Sequence, residues 1–143
     1  MEVKKVIRTK PKQKKESLIE EEILYFLNSI NDSFFWKTAG AGYFDGSVMR
    51  KHASKFVVSG VSDIIGLYKG VFYALEVKTP ITIKFYETHK ERLEKTPTWF
   101  LKSKREKHFK RQIEFQKKIK TLGGKSFFVS SIEEVKKYLE ISI

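Results

Sequence analysis

From Glu16 to Ile30 the apolar residues Ile19, Ile23, Phe26, Leu27 and Ile30 recur at three- and four-residue spacing, which predicts a helix closed by Asn31-Asp32. Phe34-Phe35-Trp36 reads as a short strand. Between Thr38 and Gly60 the periodicity vanishes and four glycines appear (Gly40, Gly42, Gly46, Gly60), the pattern of a long functional loop. Asp63–Tyr68 and Val71–Lys78 then read as two strands joined by Lys69-Gly70 in a tight hairpin turn, with Pro80 ending the second. Residues 81–104 give no clean period. They are expected to form an irregular or partly helical basic insertion anchored by Trp99 and Phe100. Lys104 to Leu122 reads as a helix (Phe109, Ile113, Phe115, Ile119, Leu122) with Gly123-Gly124 as its C-cap. Lys125–Ser130 is a further core strand, and Ser131 with Glu134 has the form of a capping box opening a helix that runs to about Glu140. The order of helix, three strands, helix, strand and helix predicts an α/β fold, a small mixed sheet flanked by helices.

Length and composition limit what such a fold can be. With 143 residues the chain fits one domain, residues 16–143, behind a basic arm at 1–15 that is too polar and charged to pack. The absence of cysteine excludes a disulfide framework, a thiol nucleophile and a thiolate-ligated zinc or iron–sulfur site, and three histidines are too few for a structural zinc centre. No apolar run of about 18 residues predicts a membrane span, and the N-terminus lacks the apolar core of a signal peptide. The expectation is a soluble cytoplasmic protein with no membrane partner.

Charge sharpens the picture. The net charge is +12. Residues 1–15 carry seven Lys/Arg and one Glu, and residues 84–120 carry thirteen basic and five acidic residues. Residues 16–83 between them carry six basic and eight acidic residues. Two basic blocks suit a polyanion, nucleic acid first. A slightly acidic centre suits an enzyme that holds a metal ion against a phosphate.

The hairpin carries the chemistry. With Lys69-Gly70 as a two-residue turn, Tyr68 faces Val71 and Asp63 lies opposite Glu76, with Cβ atoms about 5 Å apart. Two carboxylates there repel unless a divalent cation lies between them, and hard oxygen ligands suit Mg²⁺ or Mn²⁺. Lys78, two residues beyond Glu76, shares its face. Tyr73, Leu75 and Val77 point to the other face as core. Such a site polarises a phosphoryl oxygen and activates water. The lysine can position that water, act as its base, or stabilise the charge that develops. The plain alternative is a cross-strand salt bridge on an exposed face.

These residues bear a resemblance. The segment G-V-S-D-I-I-G, the short hairpin and A-L-E-V-K-T-P resemble the PD-(D/E)xK nuclease superfamily, and within it the VRR-NUC (virus-type replication–repair nuclease) group. The likeness extends over most of residues 16–140. It takes in the helix E-S-L-I-E-E-E-I-L-Y-F-L, the W-K-T-A-G-A-G loop and R-Q-I-E-F-Q-K-K-I-K-T-L-G-G-K-S-F-F-V-S-S. The resemblance implies a restriction-endonuclease-like core and a Mg²⁺-dependent phosphodiesterase acting on DNA. It implies Asp63 and Glu76 as metal ligands, the Val77 carbonyl as a further ligand and Lys78 as the catalytic lysine. The family's helix glutamate falls on Glu16 and Glu20, one turn apart, with Glu21 and Glu22 read as solvated charges. Its glutamine falls on Gln112, with Gln116 competing. Ser62 stands where the family has proline, and the gap from Lys78 to Gln112 is longer than in compact members. Members of this size often act as homodimers.

Arg50, Lys51, Lys102, Lys104, Arg105, Lys110 and Arg111 are candidates for phosphate contacts. Tyr86, Trp99 and Phe100 either stack on unpaired bases or pack the insertion onto the core. His52 is a remote candidate base, and His89 and His108 read as surface residues. Nothing encodes base-specific readout, so the expectation is a structure-selective DNA endonuclease for branched, flapped or junction substrates in replication, recombination or repair. The rivals are a non-catalytic nucleic-acid-binding module and a sequence-specific restriction-type nuclease.

Overall fold

The computed structural model describes residues 14–38, 42–44, 49–51, 55–56 and 58–142, with only the backbone at 42–44 and 49–51. Most of the basic arm and His52 lie outside the described residues. Helix α1 spans Glu16–Leu27 and buries Ile19, Ile23 and Leu27. It ends three residues earlier than the periodicity suggests, because Asn28 turns its side chain onto the next element. The Asn28 amide donates to the Phe35 carbonyl, and its oxygen accepts from the Phe35 N–H, both at 3.0 Å.

Strand β1 (Ser33–Lys37) follows. Within the glycine-rich loop a short antiparallel ribbon, β2 (Gly42–Phe44) with β3 (Met49–Lys51), stands apart from the main sheet. Strands β4 (Ile64–Tyr68) and β5 (Val71–Val77) form the hairpin. Lys69 and Gly70 both take positive φ (50° and 78°), the conformation of a two-residue turn that matches strand twist. Tyr68 pairs with Val71 and Ile64 with Leu75, so the register is the expected one.

The insertion is partly helical, one of the two forms expected, and its helix is regular. Residues Pro80–Lys95 form a regular helix, α2, with Thr79 as N-cap accepting from the Thr82 N–H and Pro80 in the first turn. Pro80 therefore starts a helix as well as ending a strand, as its fixed φ allows at that position. A 3-10 turn at Thr98–Phe100 leads into α3 (Lys104–Thr121), then β6 (Lys125–Val129) and α4 (Ile132–Tyr138). The Ser131 hydroxyl caps α4 by accepting from the Glu134 N–H, whereas the Glu134 carboxylate bonds the Ser130 hydroxyl.

The main sheet has order β1-β4-β5-β6, antiparallel except for the parallel β5–β6 pair that α2 and α3 cross over. Helices α1 and α4 cover one face through a core of Ile19, Ile23, Leu27, Phe35, Tyr73, Leu75, Val77, Val129 and Val135. On the other side Leu93, Leu101, Phe109, Ile113 and Phe128 form a second core, joined by Ile83, Phe85 and Tyr86. Tyr86 thus packs, its ring centroid 4.3 Å from that of Phe128. Trp99 and Phe100 do not anchor the insertion: they are 79% and 63% exposed. Leu93 and Leu101 do that work. Among the described residues, no helix is long and apolar enough to cross a membrane.

Candidate active site

The end of the hairpin distant from its turn brings the candidate residues together. Asp63 precedes β4, and its position is fixed from both sides. Thr38 at the end of β1 donates its N–H to the Asp63 carbonyl (2.9 Å) and its hydroxyl to the Ser62 carbonyl (2.8 Å). The Asp63 carboxylate accepts from the Val77 N–H at 2.9 Å, so it lies against β5 beside Glu76. Gly60, at φ +75°, lets this segment press on α3: a Cβ there would stand 2.6 Å from the Arg111 carbonyl and 2.9 Å from the Gln112 nitrogen. Only glycine tolerates both the conformation and the approach.

Glu76 is 3% exposed. Its Oε1 accepts from Gln112 Nε2 at 2.6 Å and lies 3.5 Å from Lys78 Nζ, while Oε2 is buried with no hydrogen-bond partner among the described residues. Loss of hydration, and then the neighbouring Asp63 charge, push its carboxyl up to about 9, against 4.5 ordinarily. Lys78 is itself buried, its ammonium 5.1 Å above the Phe109 ring and its N–H bonded to the Val129 carbonyl. An exposed salt bridge is therefore excluded as the account of this pair. Burying the Glu76 carboxyl and the Lys78 ammonium beside a half-buried Asp63 is costly, and such groups are found where their charges serve chemistry.

Gln112 rather than Gln116 reaches this cluster. Gln116 is buried four residues on, in a separate hollow with Tyr86, Ser126 and Tyr138. Of the helix glutamates, Glu20 is buried and paired with Lys37 at 3.2 Å. Desolvation raises its pKa, and Asp63 adds to the rise. Glu16 is exposed, though its charge is felt at His108. Glu22 binds Lys14 at 3.0 Å, at the surface. His89 donates its Nδ1–H to the Phe85 carbonyl at 2.8 Å and stays on α2.

His108 is exposed, as expected of a surface residue, and yet its ring also touches the site. Its Nε2 lies 3.0 Å from Gln112 Nε2, so the glutamine amide spans His108 and Glu76. With Gln112 donating to both, the imidazole is neutral at Nε2. That agrees with a pKa lowered first by desolvation and then by Lys78 and Arg111. The available signal was the i, i+4 spacing from Gln112 on one helix face.

Three of the seven basic candidates change role or go undescribed. Lys110 is buried, and its ammonium donates to the carbonyls of Leu93 (2.9 Å) and Glu94 (3.2 Å), tying α3 to the end of α2. It is a helix tie and is not presented to a phosphate, because two carbonyls near the end of α2 take its protons. Arg105 lies 3.9 Å over the Phe85 ring, still exposed. Lys102, Lys104 and Arg111 are exposed. The side chains of Arg50 and Lys51 lie outside the described residues.

The donor set fits a hard divalent cation. Two adjoining carboxylates, an orphaned Glu76 Oε2 and an orphaned Gln112 Oε1 offer oxygens and no soft ligand. Among the described residues no three His, Asp or Glu side chains gather to hold an ion alone. A cation here would rest on two carboxylates, with backbone, water or substrate completing its shell. Comparison with models of known protein families, with curated proteins and with solved structures yields no match.

Proposed function

We propose that this chain is a Mg²⁺-dependent DNA endonuclease with a restriction-endonuclease-like core of the VRR-NUC type, selective for branched or flapped DNA. The observation that carries the reading is the convergence of half-buried Asp63 with buried Glu76, Lys78 and Gln112 in one polar cluster at the end of a hairpin. A mere nucleic-acid-binding module has no reason to bury a glutamate against a second carboxylate there. Asp63, Glu76 and the Val77 carbonyl would hold Mg²⁺, with Mn²⁺ as substitute, supplying a Lewis-acid contact to a phosphoryl oxygen and a lowered pKa for water.

The chain's own groups do the rest. The Val77 N–H fixes one Asp63 oxygen, and Gln112 fixes one Glu76 oxygen, so both carboxylates are pre-oriented. Lys78, confined between Glu76 and Phe109, offers its ammonium to the attacking water or to the charge on the phosphorus centre. Water's oxygen bonds to phosphorus and one ester P–O bond breaks, leaving a phosphate monoester on one strand end and a hydroxyl on the other. Exposed Lys102, Lys104, Arg105 and Arg111 hold the flanking phosphates.

The test is cleavage of linear, flapped and four-way DNA with Mg²⁺ or Mn²⁺. Asp63→Ala and Lys78→Ala should abolish cutting while DNA affinity stays within about threefold, because neither side chain belongs to the exposed basic surface. Undiminished cutting by Asp63→Ala would sink the site assignment. Tight binding without cutting by the unaltered protein would favour the binding-module reading.

A further inference from the structure

We infer that Trp99 and Phe100 form a stacking platform for unpaired bases of the DNA substrate, an inference that rests on the nucleic-acid reading of the basic surface. The two rings lie 4.5 Å apart, tilted by 40°, and are 79% and 63% exposed. Phe85 and Tyr86, the other two aromatics of the insertion, pack against the second core, so burial was available to aromatics here and these two stay outside it.

Their backbone is held firmly. Pro97 precedes the 3-10 turn, the Phe100 and Leu101 N–H groups bond back to Pro97 and Thr98 (2.9 and 3.1 Å), and Leu101 is 3% exposed in the second core. Ser103 immediately beyond caps α3. A platform preset in this way loses little conformational freedom when something stacks on it.

The surroundings select the occupant. Residues 95–111 contain seven Lys/Arg and one Glu, and Lys102 and Lys104, two and four residues beyond Phe100, are exposed. A second copy of this chain would set one cationic rim against another. A polyanion with aromatic faces satisfies both features at once: its phosphates meet the lysines and its bases meet the rings. Paired bases hide their faces within the duplex, so the platform takes unpaired ones. From its junction with α3, the axis runs about 12 Å from Lys104 to Gln112 at 1.5 Å per residue. At 3.4 Å per nucleotide that span covers three to four nucleotides. The platform would thus sense a single-stranded arm a few nucleotides from the bond to be cut.

The experiment uses the full chain in EDTA, where binding is read apart from cleavage. Trp99 is isolated as the fluorophore by Trp36→Phe. A forked DNA with a single-stranded arm should quench Trp99 emission, and a blunt duplex of equal length should not. In anisotropy competition the forked-over-blunt preference should be roughly tenfold or more and fall to near unity in Trp99→Ala/Phe100→Ala, with Trp99→Phe retaining most of it. Equal quenching by both DNAs, no quenching by either, or an intact preference in the double variant would overturn the inference. So would a dimer that the double variant dissolves with the preference unchanged. Selective quenching by a protein that then fails to cut with Mg²⁺ would support the platform while refuting the nuclease reading.

Discussion

Glu76→Gln isolates the cost of the buried carboxylate. Glu76 is 3% exposed, one of its oxygens has no hydrogen-bond partner among the described residues, and Asp63 adjoins it. Its carboxyl is raised to about 9 from 4.5. A raised acid binds a proton on folding, so its contribution to stability is fully present below pH 4.5. It is lost progressively as pH rises towards 9 and is constant above. Between 4.5 and 7 the lost stability amounts to about 3 kcal/mol at 1.36 kcal/mol per pH unit, an upper bound because the unfolded chain and local relaxation absorb part of it.

A glutamine keeps the shape, can still accept from Gln112 and has no charge to desolvate. In EDTA at pH 7 the variant should therefore be more stable than the unaltered protein, by up to about 3 kcal/mol, or roughly 10 °C for a chain of this size. The gain should shrink to nothing near pH 4. With Mg²⁺ the order should narrow: at tenfold excess over its dissociation constant the ion stabilises the unaltered protein by about 1.4 kcal/mol, releasing a proton, and leaves the variant's melting temperature unmoved. Thermal melts followed by circular dichroism from pH 4 to 9, with and without Mg²⁺, check this. A variant no more stable at pH 7–9, or one that Mg²⁺ stabilises as much as the unaltered protein, would refute the reasoning.

Other consequences are more local. Gly60→Ala should cost about 1–2 kcal/mol for its left-handed φ alone. It should also slow cleavage by displacing Gln112 from Glu76, visible in urea unfolding and in turnover. Lys110→Ala should lose about 1–3 kcal/mol in the same unfolding assay by stranding the Leu93 and Glu94 carbonyls, with the salt dependence of DNA binding unchanged. Arg111→Ala should do the reverse, lowering the slope of log affinity on log salt by about one with stability intact; a matching slope change in Lys110→Ala would contradict its burial. Leu93→Ala, at the fully buried contact of α2, should cost about 2–5 kcal/mol in chemical denaturation.

Local pattern determined much of this protein. A two-residue turn at Lys69-Gly70 dictates which residues oppose each other. Side-chain alternation then places Glu76 and Lys78 on one face and Tyr73, Leu75 and Val77 on the other, so the pairing that brings Asp63 to β5 was legible without coordinates. Helices α1, α3 and α4 were legible in their apolar periods and caps. Helix α2 was not, because it buries little beyond Leu93 and its signal lay in Thr79-Pro80, read only as a strand's end.

What tertiary structure alone decided are the choices among equivalent residues. Gln112 and Gln116 share a helix and both are buried, and only the packing of α3 on β5 sends the first to Glu76. Glu20 turns inward to Lys37 while Glu16 stays in solvent, and Lys110 spends its charge on α2 while Arg111 faces outward. Trp99 and Phe100, expected as anchors, face solvent, and Leu101 takes the core position. Period and turn chemistry are properties of neighbours in the chain. Which of two like side chains meets a partner 36 residues away depends on how whole elements settle against one another, and that is written in no local window.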